Sequence, residues 1–187
     1  MNEDTLQKFQ QKHESLAGII HRVSGIDAAV DRVIAILQGK SAAKIAMSML
    51  PEELSSALEL RCAEAGIELL KPPFGGPDIP GALNSVEVGI SWADFAIAET
   101  GAIVEFTVDD SHRLVSMLPQ VHVAVLRAAE VVETLQEAAA PIRNFYRQNP
   151  LNAIVSFISG PSRTGDIEMR LILGVHGPAE THAVIID

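Results

Sequence analysis

The chain has 187 residues, 48% of them hydrophobic, enough for one domain with a sizeable core and too many for disorder throughout. A formal charge of -10 argues against a nucleic-acid binder and against adhesion to anionic membranes, both of which need clustered Lys and Arg. The single cysteine, Cys62, excludes a disulfide framework, and a zinc ribbon or iron–sulfur cluster held wholly by this chain.

The opening "MNEDTLQKFQ" has no basic region followed by an apolar run, so no signal peptide is expected. No apolar stretch approaches the roughly 20 residues that span a bilayer, and the expected location is a reducing cytoplasm. Residues 4–23, with Leu6, Phe9, Leu16, Ile19 and Ile20, carry a loose helical pattern. They read as an N-terminal helical arm over 1–24, ahead of a single domain over 25–187. A second helix has Val30, Val33, Ile34 and Leu37 on one face, Asp27 as N-cap and Gly39 as stop.

A βαβ unit follows. "AKIAM" (43–47) reads as a strand, Pro51 takes the first helical position, and Leu54, Leu58, Cys62 and Ala65 share a helix face that Gly66 ends. "IELL" (67–70) returns as a parallel strand. The segment 71–85, with four prolines and three glycines, reads as an irregular loop. Further strands are expected at 102–108, 121–126, 153–159 and 181–187, with "DDSH" as a turn. A helix is expected from Glu130 to about Tyr146, kinked or split at Pro141. Alternating strands and helices imply a layered α/β domain with a mostly parallel sheet.

Several motifs fail on inspection. "QGKS" (38–41) ends a helix and precedes a strand, the reverse of a phosphate-binding loop, and Ile34 stands where that loop needs glycine. "GPSRTG" (160–165) has Thr164 where a nucleophile elbow needs its second glycine. No dinucleotide fingerprint follows a strand, and the scattered histidines form no i, i+4 metal pair. His122, inside an apolar strand, reads as a hydrogen-bonded core or edge histidine.

The last 31 residues are denser in chemistry. After a strand ending at Ser159, "GPSRT" turns the chain and "DIEMRLIL" (166–173) reads as a short helix closed by Gly174. Its first turn would offer backbone N–H groups and the positive dipole end, with Ser162 and Thr164 as caps and Arg163 as a fork of donors for a carboxylate or phosphate. Asp166 and Glu168 can neutralise the same helix end, and Arg163 can simply pair with Asp166. In "GVHGP" (174–178) the glycines and proline make a turn, Gly177 among them, and His176 can act as acid, base or donor. "ETG" (99–101) falls at a turn, where Glu99 and Thr100 either point into a cleft or satisfy the turn's own backbone.

Three blocks, "ADFAIAETGAIVEF" (93–106), "RLVSMLPQVHVAVL" (113–126) and "GPSRTGDIEMRLILGVHGP" (160–178), resemble the LUD-domain, or lactate-utilization protein C, family. The resemblance covers roughly Ser85 to Asp187, with Ala102 and Gly165 departing from its usual pattern. It implies a three-layer α/β/α sandwich like those of the NagB/RpiA sugar-phosphate isomerases and CoA transferases. It also implies an accessory role in oxidising L-lactate to pyruvate, beside partner subunits of which at least one carries iron–sulfur clusters. On this reading Ser162, Arg163 and Thr164 hold a small carboxylate or phosphate. Thr100, Gly101, Asp166, Glu168 and Gly177 line the site, and Glu99 or His176 moves a proton. No metal or cofactor is expected on this chain. One alternative is a stand-alone transferase or isomerase using Glu99 as nucleophile or base on an organic acid or sugar phosphate; another is an assembly protein, with a homo-oligomer open in either case.

Overall fold

The structure is a computed structural model that describes residues 2–74, 78–167, 170–174 and 176–187; the side chains of residues 165–173 lie outside the described set. Its elements, in chain order, begin with α1 (Glu3–Ser15), β1 (Ile19–Val23), α2 (Ile26–Gly39), β2 (Lys44–Ser48), α3 (Glu52–Glu64) and β3 (Glu68–Leu70). There follow α4 (Ile79–Leu83), β4 (Val88–Trp92), β5 (Phe95–Ile97), β6 (Ala102–Thr107), α5 (Asp110–Met117) and β7 (Val121–Arg127). The chain closes with β8 (Val131–Val132), α6 (Leu135–Gln148), β9 (Ile154–Ile158), β10 (Arg163–Ile167), β11 (Arg170–Leu173) and β12 (Glu180–Ile186).

Six strands in the order β1-β12-β7-β4-β2-β3 form a parallel central sheet. One face of it is aliphatic: Ile45, Met47, Val88, Ile90, Val123, Val125 and Val184 meet Val30, Val33 and Leu37 of α2 and Leu54, Leu58 and Cys62 of α3. Both faces being covered explains why these strands read as continuous apolar runs rather than alternating ones. The opposite face carries small residues, Ala46, Gly89, Ser91, Ala124 and Ala183, which let the next layer approach closely. At Gly89 an added Cβ would sit 1.9 Å from the Val115 carbonyl oxygen, so the α5 backbone lies directly on this glycine. Leu6 and Phe9 of α1 pack on the same face with Ala96, Ile103, Leu126 and Ile185. The result is a three-layer α/β/α arrangement around a parallel sheet, as expected.

That third layer also contains a second sheet, of order β8-β5-β6-β9, which the sequence reading did not separate from the first. Helix α6 closes over it, with Phe145 stacked on Phe106 at 4.5 Å and Phe95 edge-on to Phe106 at 5.6 Å.

Some local expectations need correction. The helix expected over 4–23 ends at Ser15; Gly18 passes so close to the His13 ring that a Cβ would fall 2.1 Å from it, and residues 19–23 run as an edge strand. Gly25, at φ 87°, precedes α2 and Asp27 sits in its first turn rather than capping it. Pro51 is the N-cap of α3, one residue outside the helix. "DDSH" starts α5, capped by Asp109, rather than forming a turn. The helix expected from Glu130 begins at Leu135, capped by Thr134, and runs through Pro141 without a split. Most consequentially, the described residues of the stretch 166–173 are not helical: residues 166–167 and 170–173 lie in strands β10 and β11, which pair antiparallel. The helix dipole and free N–H groups expected there for anion binding are therefore absent among its described residues.

Candidate functional site

The turn after β9 and the turn before β12 are joined backbone to backbone. Ser162 N–H donates to the Pro178 carbonyl at 2.8 Å, and Gly174 N–H donates to the Ser162 carbonyl at 3.0 Å. Gly177 allows the closeness, since a Cβ there would lie 3.3 Å from Ser162 Cβ. Between these turns and the end of α5 lies a cavity of about 250 Å³. Its walls come from Met117, Phe157, Ile158 and Pro178, and its polar groups from Ser116, Ser159, Ser162, His176 and Thr181. The cavity lies at the amino ends of β7 and β12. The address expected from the sequence, the carboxyl end of a parallel strand, does not apply to β9, which pairs antiparallel with β6.

Behind this cavity sits a buried polar network. Ser91 Oγ donates to Glu105 Oε1 at 2.5 Å and lies 2.7 Å from His122 Nε2, which is 3.4 Å from the same carboxylate oxygen. With the serine proton given to Glu105, the Ser91 oxygen accepts from His122 Nε2–H. Glu105 is 2% exposed and His122 fully buried. Burial pushes the Glu105 carboxyl upward, but the hydrogen bond and charge of His122, then the hydroxyls of Ser91 and Ser116, outweigh it and hold the group below its ordinary range. Ser116, whose hydroxyl donates to the Arg113 carbonyl at 3.0 Å, lines the cavity. Thr181, beside His122 in the β7–β12 register, is 1% exposed, and its Oγ1 has no protein partner; neither has His122 Nδ1.

Of the residues singled out from the sequence, Ser162, His176 and Gly177 meet at this cavity. Arg163 does not line it. Its guanidinium donates to the Leu16 carbonyl after α1, beside a smaller cavity of about 170 Å³ formed with Ser159, Gly160 and Pro161. Thr164 follows on β10, half-buried. The Asp166 side chain and Glu168 lie outside the described residues. The "ETG" turn also stands apart from the cavity. Glu99 Oε2 accepts from Leu135 N–H at 2.9 Å at the start of α6, and Thr100 Oγ1 accepts from Ala102 N–H at 3.3 Å. The Gly101 carbonyl accepts from His13 Nδ1 at 2.8 Å, with α1 so near that a Cβ at Gly101 would meet the His13 nitrogen at 2.9 Å. Burial pushes the His13 imidazole below its ordinary value.

Glu105, Ser91, Ser116 and Thr181 escaped the sequence reading. A signal for two of the network's members existed: one carboxylate inside "AIVEFTV" and one imidazole inside "VHVAVL", each an isolated polar group in an apolar strand. Among the described residues no group of three or more His, Cys, Asp or Glu side chains is placed to hold a metal ion. Cys62 is buried, and burial raises its thiol pKa.

Fold and site together define a three-layer α/β/α domain with a hydroxyl-lined cavity at the margin of its parallel sheet. The LUD domain family matches residues 6–186, and the chain belongs to that family. It is 37% identical over 101 residues to Lactate utilization protein C of Shouchella clausii, covering 54% of this chain and 44% of that protein. It is 38% identical over 105 residues to Lactate utilization protein C 1 of Bacillus mycoides, covering 56% of this chain and 45% of that one. The aligned stretch thus spans less than half of these relatives. A solved DUF162 family protein from Deinococcus radiodurans shares the fold at a TM-score of 0.70 and 18% identity, over 99% of this chain and 98% of that one.

Proposed function

We propose that this chain serves lactate utilization as an accessory component, with the cavity between residues 160–162 and 176–178 as its ligand site. The names of its relatives support the lactate role. The observation that carries the site is the direct backbone bonding of two turns that both fall in the most distinctive family block, closing around one cavity. Oxidation of L-lactate to pyruvate releases two electrons, and the buried lone thiol of Cys62 is unsuited to anchoring a cluster that would take them. Iron–sulfur clusters on partner subunits fill that role, in a reducing cytoplasm. No helix among the described residues is long and apolar enough to cross a membrane.

Deleting the gene in its own host tests the reading. Growth on L-lactate as sole carbon source should fail, growth on glucose should persist, and a plasmid copy should restore the former. Unimpaired growth of the deletion strain on L-lactate would remove the proposal.

A further inference from the structure

We propose that two copies of this chain join edge to edge through β9, antiparallel about a two-fold axis at Ser156, so that their four-stranded sheets become one continuous sheet.

A sheet edge presents unpaired N–H and C=O groups, and proteins blunt such edges with charge, proline, bulges or brevity. Three of the four edges of the two larger sheets are treated in that way. β1 carries Arg22, held by Glu3 and Asp187; β3 is three residues long and includes Glu68; β8 is two residues between Glu130 and Glu133. β9 has no such device within the strand. Among the described residues it pairs with β6 alone, through five residues in unbroken register. No Asp, Glu, Lys or Arg occurs from Gln148 to Ser162. Exposed apolar side chains gather around it: Phe157 on the strand, Leu151 before it at 80% exposed, Met117 across a cavity from Phe157, and Val108 across another from Ile154.

Backbone groups along an edge call for an extended strand, and the side-chain order of β9 selects its own copy. Ile154-Val155-Ser156-Phe157-Ile158 is close to a palindrome. Antiparallel pairing centred on Ser156 sets Ile154 opposite the partner's Ile158, Val155 opposite the partner's Phe157, and the small serine opposite itself. Every cross-strand pair off the axis is then apolar, and no side chain changes face.

Charge agrees with this choice. Two bodies of formal charge -10 repel, and they meet with least repulsion where neither bears charge. The exposed carboxylates flanking the strand, Asp109 and Asp110 at the Ile154 end, come opposite the partner's Ile158 end. The described lining of the cavity there has no Asp, Glu, Lys or Arg. The pairing closes on itself, so it yields a dimer and not a fibre. It also carries the partner's Leu151 toward Pro161, beside the cavity that Phe157, Ile158 and Gly160 line.

Sedimentation velocity of the full chain over roughly 1–100 µM should show a species of twice the 20.0 kDa chain mass, growing with concentration. Phe157→Lys sets a charge against the partner's Val155, at a half-exposed position that a lone copy can accommodate, and should weaken dimerisation on the order of a hundredfold. Leu151→Glu asks the same question should Phe157→Lys fail to fold, as judged by circular dichroism melts. Ser156→Cys should give a disulfide-linked dimer under mild oxidation, since opposed Cα atoms in an antiparallel pair lie ~4.5–5.5 Å apart, within disulfide reach. Leu60→Cys, exposed on α3, is the control that should not, and the native Cys62 is buried. The inference is overturned if the chain stays monomeric at the highest concentration, whether or not it binds a foreign strand. It is equally overturned if the folded charge variant dimerises as the wild type does, or if Ser156→Cys cross-links no faster than Leu60→Cys.

Discussion

Replacing Glu105 with leucine should expose how much of the fold depends on the buried network. The substitution keeps approximate volume and removes the acceptor of the Ser91 hydroxyl, 2.5 Å away, and the carboxylate 3.4 Å from His122 Nε2, leaving the serine and the imidazole only each other. At 2% and 0% exposure these groups have no route to bulk water. Breaking such a buried pair from one side costs about 3–5 kcal/mol, because the remaining polar group is left uncompensated. For a chain of this length that lowers the melting midpoint by roughly 6–20 °C. Urea denaturation at neutral pH measures the loss directly. The double change Glu105→Leu with His122→Leu should recover most of it, since a well-packed apolar replacement of a buried pair is often near neutral. The acid limb supplies a second check. Because Glu105 titrates below its ordinary 4.5 when folded, its stabilisation is present above that value and lost as pH falls through the folded pKa. Glu105→Leu should therefore flatten the acid limb. A loss below about 1 kcal/mol with an unchanged acid limb would refute the network as described.

Gly89→Ala drives a methyl group to within 1.9 Å of the Val115 carbonyl and should cost about 1–3 kcal/mol or more by overpacking, read by chemical denaturation. Phe9→Ala empties a fully buried position between α1 and the sheet and should cost about 3–5 kcal/mol; limited proteolysis should then cut within the first 18 residues, which the wild type protects. His21 is held at a pKa of about 4 against an ordinary 6.5, by burial first and by His182 second. The unfolded chain thus binds the extra proton between those values, and stability falls as pH drops from 6.5 to 4. His21→Gln should reduce that slope in melts taken across the window.

The parts of the fold legible in the sequence were those whose signal is local. Leu54, Leu58 and Cys62 recur at helical spacing, Gly66 stops the helix, and β2 and β3 follow as a parallel pair. The last apolar run is β12 almost to the residue. The β10–β11 pair reads as a helix in the sequence because Ser162 and Thr164 resemble helix caps; the sequence alternation of Ile167, Met169, Leu171 and Leu173 at a period of two is the better guide. The second sheet was hidden because β5 and β8 are only three and two residues long, too short for any periodicity. At the site, Ser162, His176 and Gly177 were legible as turn chemistry. Their neighbours Glu105 and Thr181 were not, since only pairing between distant strands brings them together. Glu99 and Thr100 were open between cleft and turn, and their hydrogen bonds are to backbone N–H groups of Leu135 and Ala102.

The lateral order of the parallel sheet sets a constraint on how the chain is made. Its first strand has no neighbour except its last, and the histidines that join them, His21 and His182, are 161 residues apart. During synthesis β1 must wait, unpaired, until β12, on the far side of that separation, has left the ribosome. Docking of α1 through Leu6 and Phe9 is what can hold it near its berth meanwhile, so the amino-terminal helix acts as a mooring for a sheet that closes late.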